Sequence, residues 1–225
     1  RHVKKLEAMQ AHCPAIPTTL QANLRDYQIE GFRYLSRLAY WGIGACLADD
    51  MGLGKTVQAI AFLLEQAEKG PSLVIAPTSV CFNWCDELAK FAPTLRVYVL
   101  PLQTQNRAAM IAALGEFDVL VSSYGLLVQE EAAFLEKDWH VVILDEAQAI
   151  KNNATQRWKV ATALKGACRL ALTGTPIENH LGELWSLFRF LNPGLLSSLK
   201  NFQQRYALPI EKYQNELAIR ALKKC

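Results

Sequence analysis

The octapeptide Asp49-Asp50-Met51-Gly52-Leu53-Gly54-Lys55-Thr56 brings two glycines, an amine and a hydroxyl together. It follows a short apolar run, Ala45 to Ala48, and opens a helical pattern that continues to Lys69. Glycine reaches backbone angles closed to other residues, so the amides around Gly52, Leu53 and Gly54 can turn inward round an anion. The start of a helix adds partial positive charge at the same place. Lys55 can then reach the β- and γ-phosphates of a nucleotide such as ATP, and the Thr56 hydroxyl can ligate Mg2+. The strict form of this loop carries glycine where Asp49 stands. The bland alternative is an ordinary glycine turn, and the position between strand and helix favours the phosphate reading.

A second group of chemically useful residues lies well downstream. Val141 to Leu144 is an apolar run that drives a strand into a core and delivers Asp145 and Glu146 at its C-terminal end. Ligands bind at that edge of an open parallel sheet. Asp145 is placed to hold magnesium, and Glu146 to orient and deprotonate an attacking water. Alone, Asp-Glu after an apolar strand is an even choice between a site and a strand-end turn. Downstream of a phosphate loop, with strands alternating between, it reads as the other half of one site.

The elements that must position these groups follow from hydrophobic pattern. A helix is expected from Asn23, which can cap it, with Leu24, Tyr27, Phe32, Leu35 and Leu38 on its apolar side. Strands are expected at Ala45 to Ala48, Leu73 to Ala76, Val97 to Leu100, Phe117 to Val121, Val141 to Leu144 and Leu170 to Leu172. Helices fall at Lys55 to Lys69, Val80 to Phe91, Asn106 to Leu114 and Ala154 to Leu164. Short strands rich in Val, Ile and Leu suit a mainly parallel sheet covered by helices on both faces, an α/β domain of three layers. The chain has 225 residues, 51% of them hydrophobic, which is enough for one large core and excludes a disordered chain. No apolar run approaches the roughly 20 residues that cross a bilayer. None of the six cysteines forms a Cys-x-x-Cys pair, so reduced thiols and an intracellular setting are expected. A net charge of +3 neither demands nor forbids nucleic acid.

The phosphate loop with Asp145-Glu146-Ala147-Gln148 resembles the motors of helicase superfamily two. Three segments narrow the resemblance to the Swi/Snf-type family: Leu24-Arg25-Asp26-Tyr27-Gln28-Ile29-Glu30-Gly31, then Asp145 through Asn152, then Leu172-Thr173-Gly174-Thr175-Pro176-Ile177-Glu178-Asn179 followed by Glu183-Leu184-Trp185-Ser186-Leu187. It covers about residues 20 to 210 and implies a RecA-like P-loop NTPase lobe that binds ATP and Mg2+. In that family the Gln28 segment reads adenine, and a side-chain amide can pair with adenine N6 and N7 together. Thr173, Gly174 and Thr175 are implied to couple nucleotide state to the DNA-facing surface. Glu178-Asn179-His180 stands where many relatives carry Gln-Asn-Asn, and Asp49-Asp50 replaces a more usual Asp-Glu.

The resemblance further implies that the loops Pro77-Thr78-Ser79 and Ser122-Ser123-Tyr124-Gly125 grip a phosphodiester backbone, with Thr78, Ser123 and Tyr124 on that face; helix capping is the alternative. Lys151 and Asn152 are further candidates. Trp84, Trp139, Trp158 and Trp185 read as packing residues. Residues 1–20 read as a leader, 21–194 as the ATP-binding lobe, and 195–225 as the start of a helical connection toward a second lobe. Implied partners are double-stranded DNA, that second lobe and a DNA-bound protein target, with no membrane; the setting is cytoplasmic, at the nucleoid if the source is prokaryotic. The whole protein reads as a DNA-dependent ATPase, and the fragment alone as nearly inactive. A strand-separating helicase and a catalytically silent nucleotide-sensing scaffold are the alternatives.

Overall fold

Each of the six apolar runs becomes a strand, and the alternation within each run decides which layer it feeds. The computed structural model describes residues 13–48, 54–100, 106–174 and 180–222. The strands are β1 (Ala45–Leu47), β2 (Ser72–Ala76), β3 (Arg96–Val99), β4 (Asp118–Ser123), β5 (Asp138–Leu144) and β6 (Lys165–Leu172). They pair in the order β1-β6-β5-β2-β4-β3, every pair parallel. Successive side chains in a strand point to opposite faces. Val74, Val121 and Ile143 therefore join one core, and Leu73, Ile75, Leu120, Val142 and Leu144 join the other.

The first face is covered by α1 (Asp26–Tyr40), α2 (Lys55–Gln66) and α3 (Thr78–Phe91), through Phe32, Ile60, Leu63, Trp84 and Leu88. The second is covered by α4 (Arg107–Ala113), α5 (Tyr124–Gln129), α6 (Glu131–Glu136), α7 (Gln156–Ala163) and α8 (Leu181–Leu191), through Ile111, Leu127, Phe134, Val160 and Phe190. Residues 199–222 add the short helices α9 (Leu199–Phe202), α10 (Leu208–Tyr213) and α11 (Glu216–Leu222). Their apolar cluster, with Phe202 and Tyr206 at its centre, packs against Trp158 and Trp185. Ile16 and Leu20, ahead of α1, pack against the first core.

Several boundaries differ from the sequence expectation. Helix α1 begins at Asp26, not behind a cap at Asn23: extended Arg25 is the cap position, and its N–H is taken by the Gln28 side-chain carbonyl at 2.9 Å. Strand β4 starts at Asp118 because Phe117 turns to φ +61. Asp118 anchors that turn by accepting from Arg96 Nε at 2.6 Å and from the Gly115 N–H at 2.7 Å. Strand β6 begins at Lys165 rather than Leu170, its first half alternating between solvent and core where the apolar signal is weak. Helices α5, α6 and α8 were not expected as helices.

The start of β1 is locked to the end of α8. The Asn192 side chain accepts from the Gly44 N–H at 2.9 Å and donates to the Gly44 carbonyl at 3.2 Å. A Cβ on Gly44 would lie 2.3 Å from the Leu191 carbonyl oxygen. Gly44→Ala is therefore expected to lower stability by about 1–3 kcal/mol, the usual cost of overpacking, read as a lower urea midpoint with an unchanged slope.

Candidate active site

The segment carrying Gln28 and the turn before α2 meet at one glycine. Gly54 is the cap residue of α2 and sits in the left-handed region at φ +73, ψ +39. That backbone conformation favours glycine, and a Cβ there would come within 2.3 Å of the Gln28 amide nitrogen. From α2, Gln58 donates to the Gly54 carbonyl at 3.3 Å, and its own carbonyl lies flat against Gly31 of α1, where a Cβ would meet it at 1.8 Å. A cavity of about 560 Å³ opens at this junction, lined by Tyr27, Gln28, Gly54, Lys55, Thr56 and Phe91 among others. Gly52 and Leu53 lie outside the described residues, as do Asp49, Asp50 and Met51.

Asp145 stands at the tip of β5 and is held from three sides. Its N–H donates to the Ile75 carbonyl at 2.8 Å, which extends the β2–β5 pairing by one residue. Its Oδ2 accepts from the Trp84 indole at 2.7 Å and its Oδ1 from the Glu146 N–H at 2.8 Å. Its carbonyl accepts from the Tyr124 hydroxyl at 2.9 Å. Burial pushes the Asp145 carboxyl above the ordinary range and the neighbouring Glu146 adds to that; the Trp84 and Glu146 hydrogen bonds and the Lys55 ammonium pull it back.

Glu146 adopts φ +47, ψ +53, a left-handed conformation that is uncommon for a residue with a side chain. Residues held this way cluster at functional sites, at a cost of order 1–3 kcal/mol. Its Oε2 accepts from the Gln148 amide at 2.5 Å, and the Gln148 carbonyl accepts from the Thr173 hydroxyl at 2.9 Å. Thr173 follows β6, and β6 lies between β1 and β5. The loop strand and the acidic strand are therefore not neighbours. The Thr173 segment is inserted between them, with its N–H on the Leu47 carbonyl at 3.2 Å. Gly174 follows it, half-buried, and Thr175 lies outside the described residues.

The residues assigned to a nucleic-acid face separate. Thr78 is exposed at the first turn of α3. Ser123 is buried, and its hydroxyl caps α5 by accepting from the Leu126 N–H at 3.2 Å. Tyr124 is only 3% exposed: it packs in the second core, and its hydroxyl donates to the Asp145 carbonyl. Lys151 pairs with Glu183 at 3.7 Å, and exposed Asn152 caps its own turn through the Ala154 N–H at 2.9 Å. The tryptophans pack as expected, Trp158 stacking on Trp185 at 5.7 Å between ring centres. Sequence reasoning missed the polar roles of Trp84 and Gln58; Trp84 Nε1 reaches Asp145 across 61 positions of sequence, for which no local signal exists.

A wholly parallel sheet between helical layers, with a glycine-capped helix after β1 and an acidic pair after β5, defines a RecA-like nucleotide-binding lobe. The chain belongs to the SNF2-related domain family, whose model matches residues 27–225. It is 46% identical over 209 residues to a Bacillus subtilis (strain 168) protein, YwqA, described as a candidate ATP-dependent helicase/translocase, a match covering 91% of this chain and 23% of that protein. It is 40% identical over 210 residues to the Arabidopsis thaliana chromatin-remodeling ATPase INO80, covering 88% of this chain and 14% of that protein. The Sulfolobus solfataricus SWI2/SNF2 ATPase core in complex with dsDNA superposes with a TM-score of 0.83 at 44% identity, over 92% of this chain and 44% of that one. The chain thus spans less than a quarter of the length of these two curated relatives.

Proposed function

We propose that this chain is the ATP-binding lobe of an ATP-dependent double-stranded DNA translocase, which hydrolyses ATP to drive movement along the duplex when joined to a second RecA-like lobe. The observation that carries this reading is the gathering of Lys55, Asp145, Glu146 and Thr173 at one edge of the sheet, beside the cavity under Gln28. Gln28 takes the adenine edge: its side-chain amide, which lines the cavity, can donate and accept at once. Gly52, Leu53, Gly54 and Lys55 cradle the phosphates, and Glu146 orients and activates the hydrolytic water. Thr173, Gly174 and Thr175 couple this state to the nucleic-acid side through Gln148.

The residues present also fit magnesium. Asp145 accepts one hydrogen bond on each carboxylate oxygen and keeps lone pairs on both, and Thr56 lies half-buried in the first turn of α2. An oxygen-only donor set completed by phosphate and water is what this ion takes. Bound there, it would neutralise charge on the phosphates. Thr78 and the turn around Ser123 are assigned to the phosphodiester backbone, and residues from 195 onward to the connection with the second lobe.

The test is ATP turnover by the full-length protein with duplex, single-stranded or no DNA, alongside a strand-displacement assay. Stimulation by duplex without strand separation is expected. Strand separation would favour an unwinding helicase instead, and nucleotide binding with no turnover under any condition would favour a silent sensing module.

A further inference from the structure

Asp145 is tied to two segments whose strands, β2 and β4, lie on the other side of β5 from β1. The first tie is through α3, whose opening turn carries the exposed Thr78. Trp84, on the same helix and 0% exposed, donates to Asp145 Oδ2 at 2.7 Å. The second is through the turn after β4, where Ser123 caps α5 and Tyr124 opens it. The Tyr124 hydroxyl donates to the Asp145 carbonyl at 2.9 Å. Strand β2, which carries the turn to Thr78 at its tip, lies between β4 and β5 and accepts the Asp145 N–H. The carbonyl and one carboxylate oxygen of Asp145 are thus held by the elements that begin at the two loops assigned to the DNA backbone.

We propose that Trp84 and Tyr124 are positioning residues through which contact at the loops after β2 and β4 is felt at Asp145, so that duplex binding and nucleotide binding strengthen one another. The proposal rests on the translocase reading above. An α-helix rises about 1.5 Å per residue, so Thr78 and Trp84 are roughly 9 Å apart along one stiff element. A shift of the Thr78 turn against a phosphodiester backbone moves the indole with it. Both hydrogen bonds lie inside the packed core, where side chains have little room to absorb a displacement by changing rotamer. Asp145 follows, and with it the group proposed to hold magnesium. Tyr124, buried behind the turn after β4, lies on the same path.

The coupling is measured at equilibrium in the full-length protein, as the affinity for a non-hydrolysable ATP analogue with magnesium, with and without saturating duplex. The parent is expected to bind the analogue roughly tenfold more tightly with duplex, inside the 5- to 150-fold range usual for linked sites. Trp84→Phe keeps an aromatic ring but removes the indole donor, and Tyr124→Phe removes the hydroxyl alone. Each is expected to reduce the duplex effect to about threefold or less, taking tenfold as the parent value. A purely structural role lowers affinity equally in both conditions and leaves the ratio unchanged. A parental ratio in Tyr124→Phe and in folded Trp84→Phe overturns this proposal alone. Absence of any duplex effect in the parent also overturns it, while the translocase reading stands or falls separately on duplex-stimulated turnover. If Trp84→Phe does not fold, the Tyr124→Phe ratio decides.

Discussion

Glu146→Gln in the full-length protein is expected to stop ATP turnover, by roughly 10²- to 10⁴-fold, while nucleotide affinity stays near the parental value. The amide matches the carboxylate in size and can still accept from Gln148 with its oxygen, so the path through Gln148 to Thr173 survives. Its backbone requirement is unchanged, because glutamine and glutamate bear the same cost in the left-handed conformation that Glu146 adopts. What the variant loses is a group able to take a proton from water. Asp145 keeps its bonds to Trp84 and to the backbone N–H of residue 146. A single-turnover measurement separates the step from product release. Parental turnover would remove Glu146 as the base and leave it a structural partner of Gln148.

How much of this arrangement was legible beforehand depends on whether the controlling contact is local. All six strands could be read from sequence: β2, β4 and the end of β5 are short apolar runs buried on both faces, and edge strand β3, more exposed, still shows as the apolar stretch from Val97. The phosphate turn and the acidic pair are contiguous in sequence and carry their own context. Asn23 was a reasonable cap by residue type, yet the capping bond came from inside the helix, from Gln28. Tyr124 shows the opposite failure. Ser122 to Gly125 read as a surface loop, and its second half is in fact the first turn of a helix whose tyrosine packs in the core.

Strand order was not legible at all. Nothing in the phosphate loop or the acidic pair says that β6 runs between their strands, and this insertion is what brings Thr173 within reach of Gln148. The glycines tell the same story. Gly31 and Gly54 look like helix and turn residues in sequence, and the structure gives both a close-approach role, against the amides of Gln58 and Gln28. Such contacts join positions far apart in the chain, so residue type marks the places without naming the partners.

Lys55→Ala should separate binding from folding. Lys55 is the first residue of α2, half-buried in the lining of the cavity, and its ammonium joins the Trp84 and Glu146 hydrogen bonds in keeping the Asp145 carboxyl from rising further. Truncating one member of a desolvated charge contact typically costs about 2–5 kcal/mol, so nucleotide affinity is expected to fall roughly 10²-fold or more. The fold has little reason to suffer. Alanine is the best helix former, and a cation at a helix N-terminus opposes the helix dipole, so removing it is worth about 0.3–1 kcal/mol in the stabilising direction. The melting temperature without nucleotide is therefore expected to hold or rise slightly, while the increase that ATP and magnesium give the parent disappears. Titration with a fluorescent ATP analogue and melting curves with and without nucleotide read the two effects independently. Parental affinity in Lys55→Ala would mean that this ammonium does not reach the phosphates, and the cavity would need another cation to hold them.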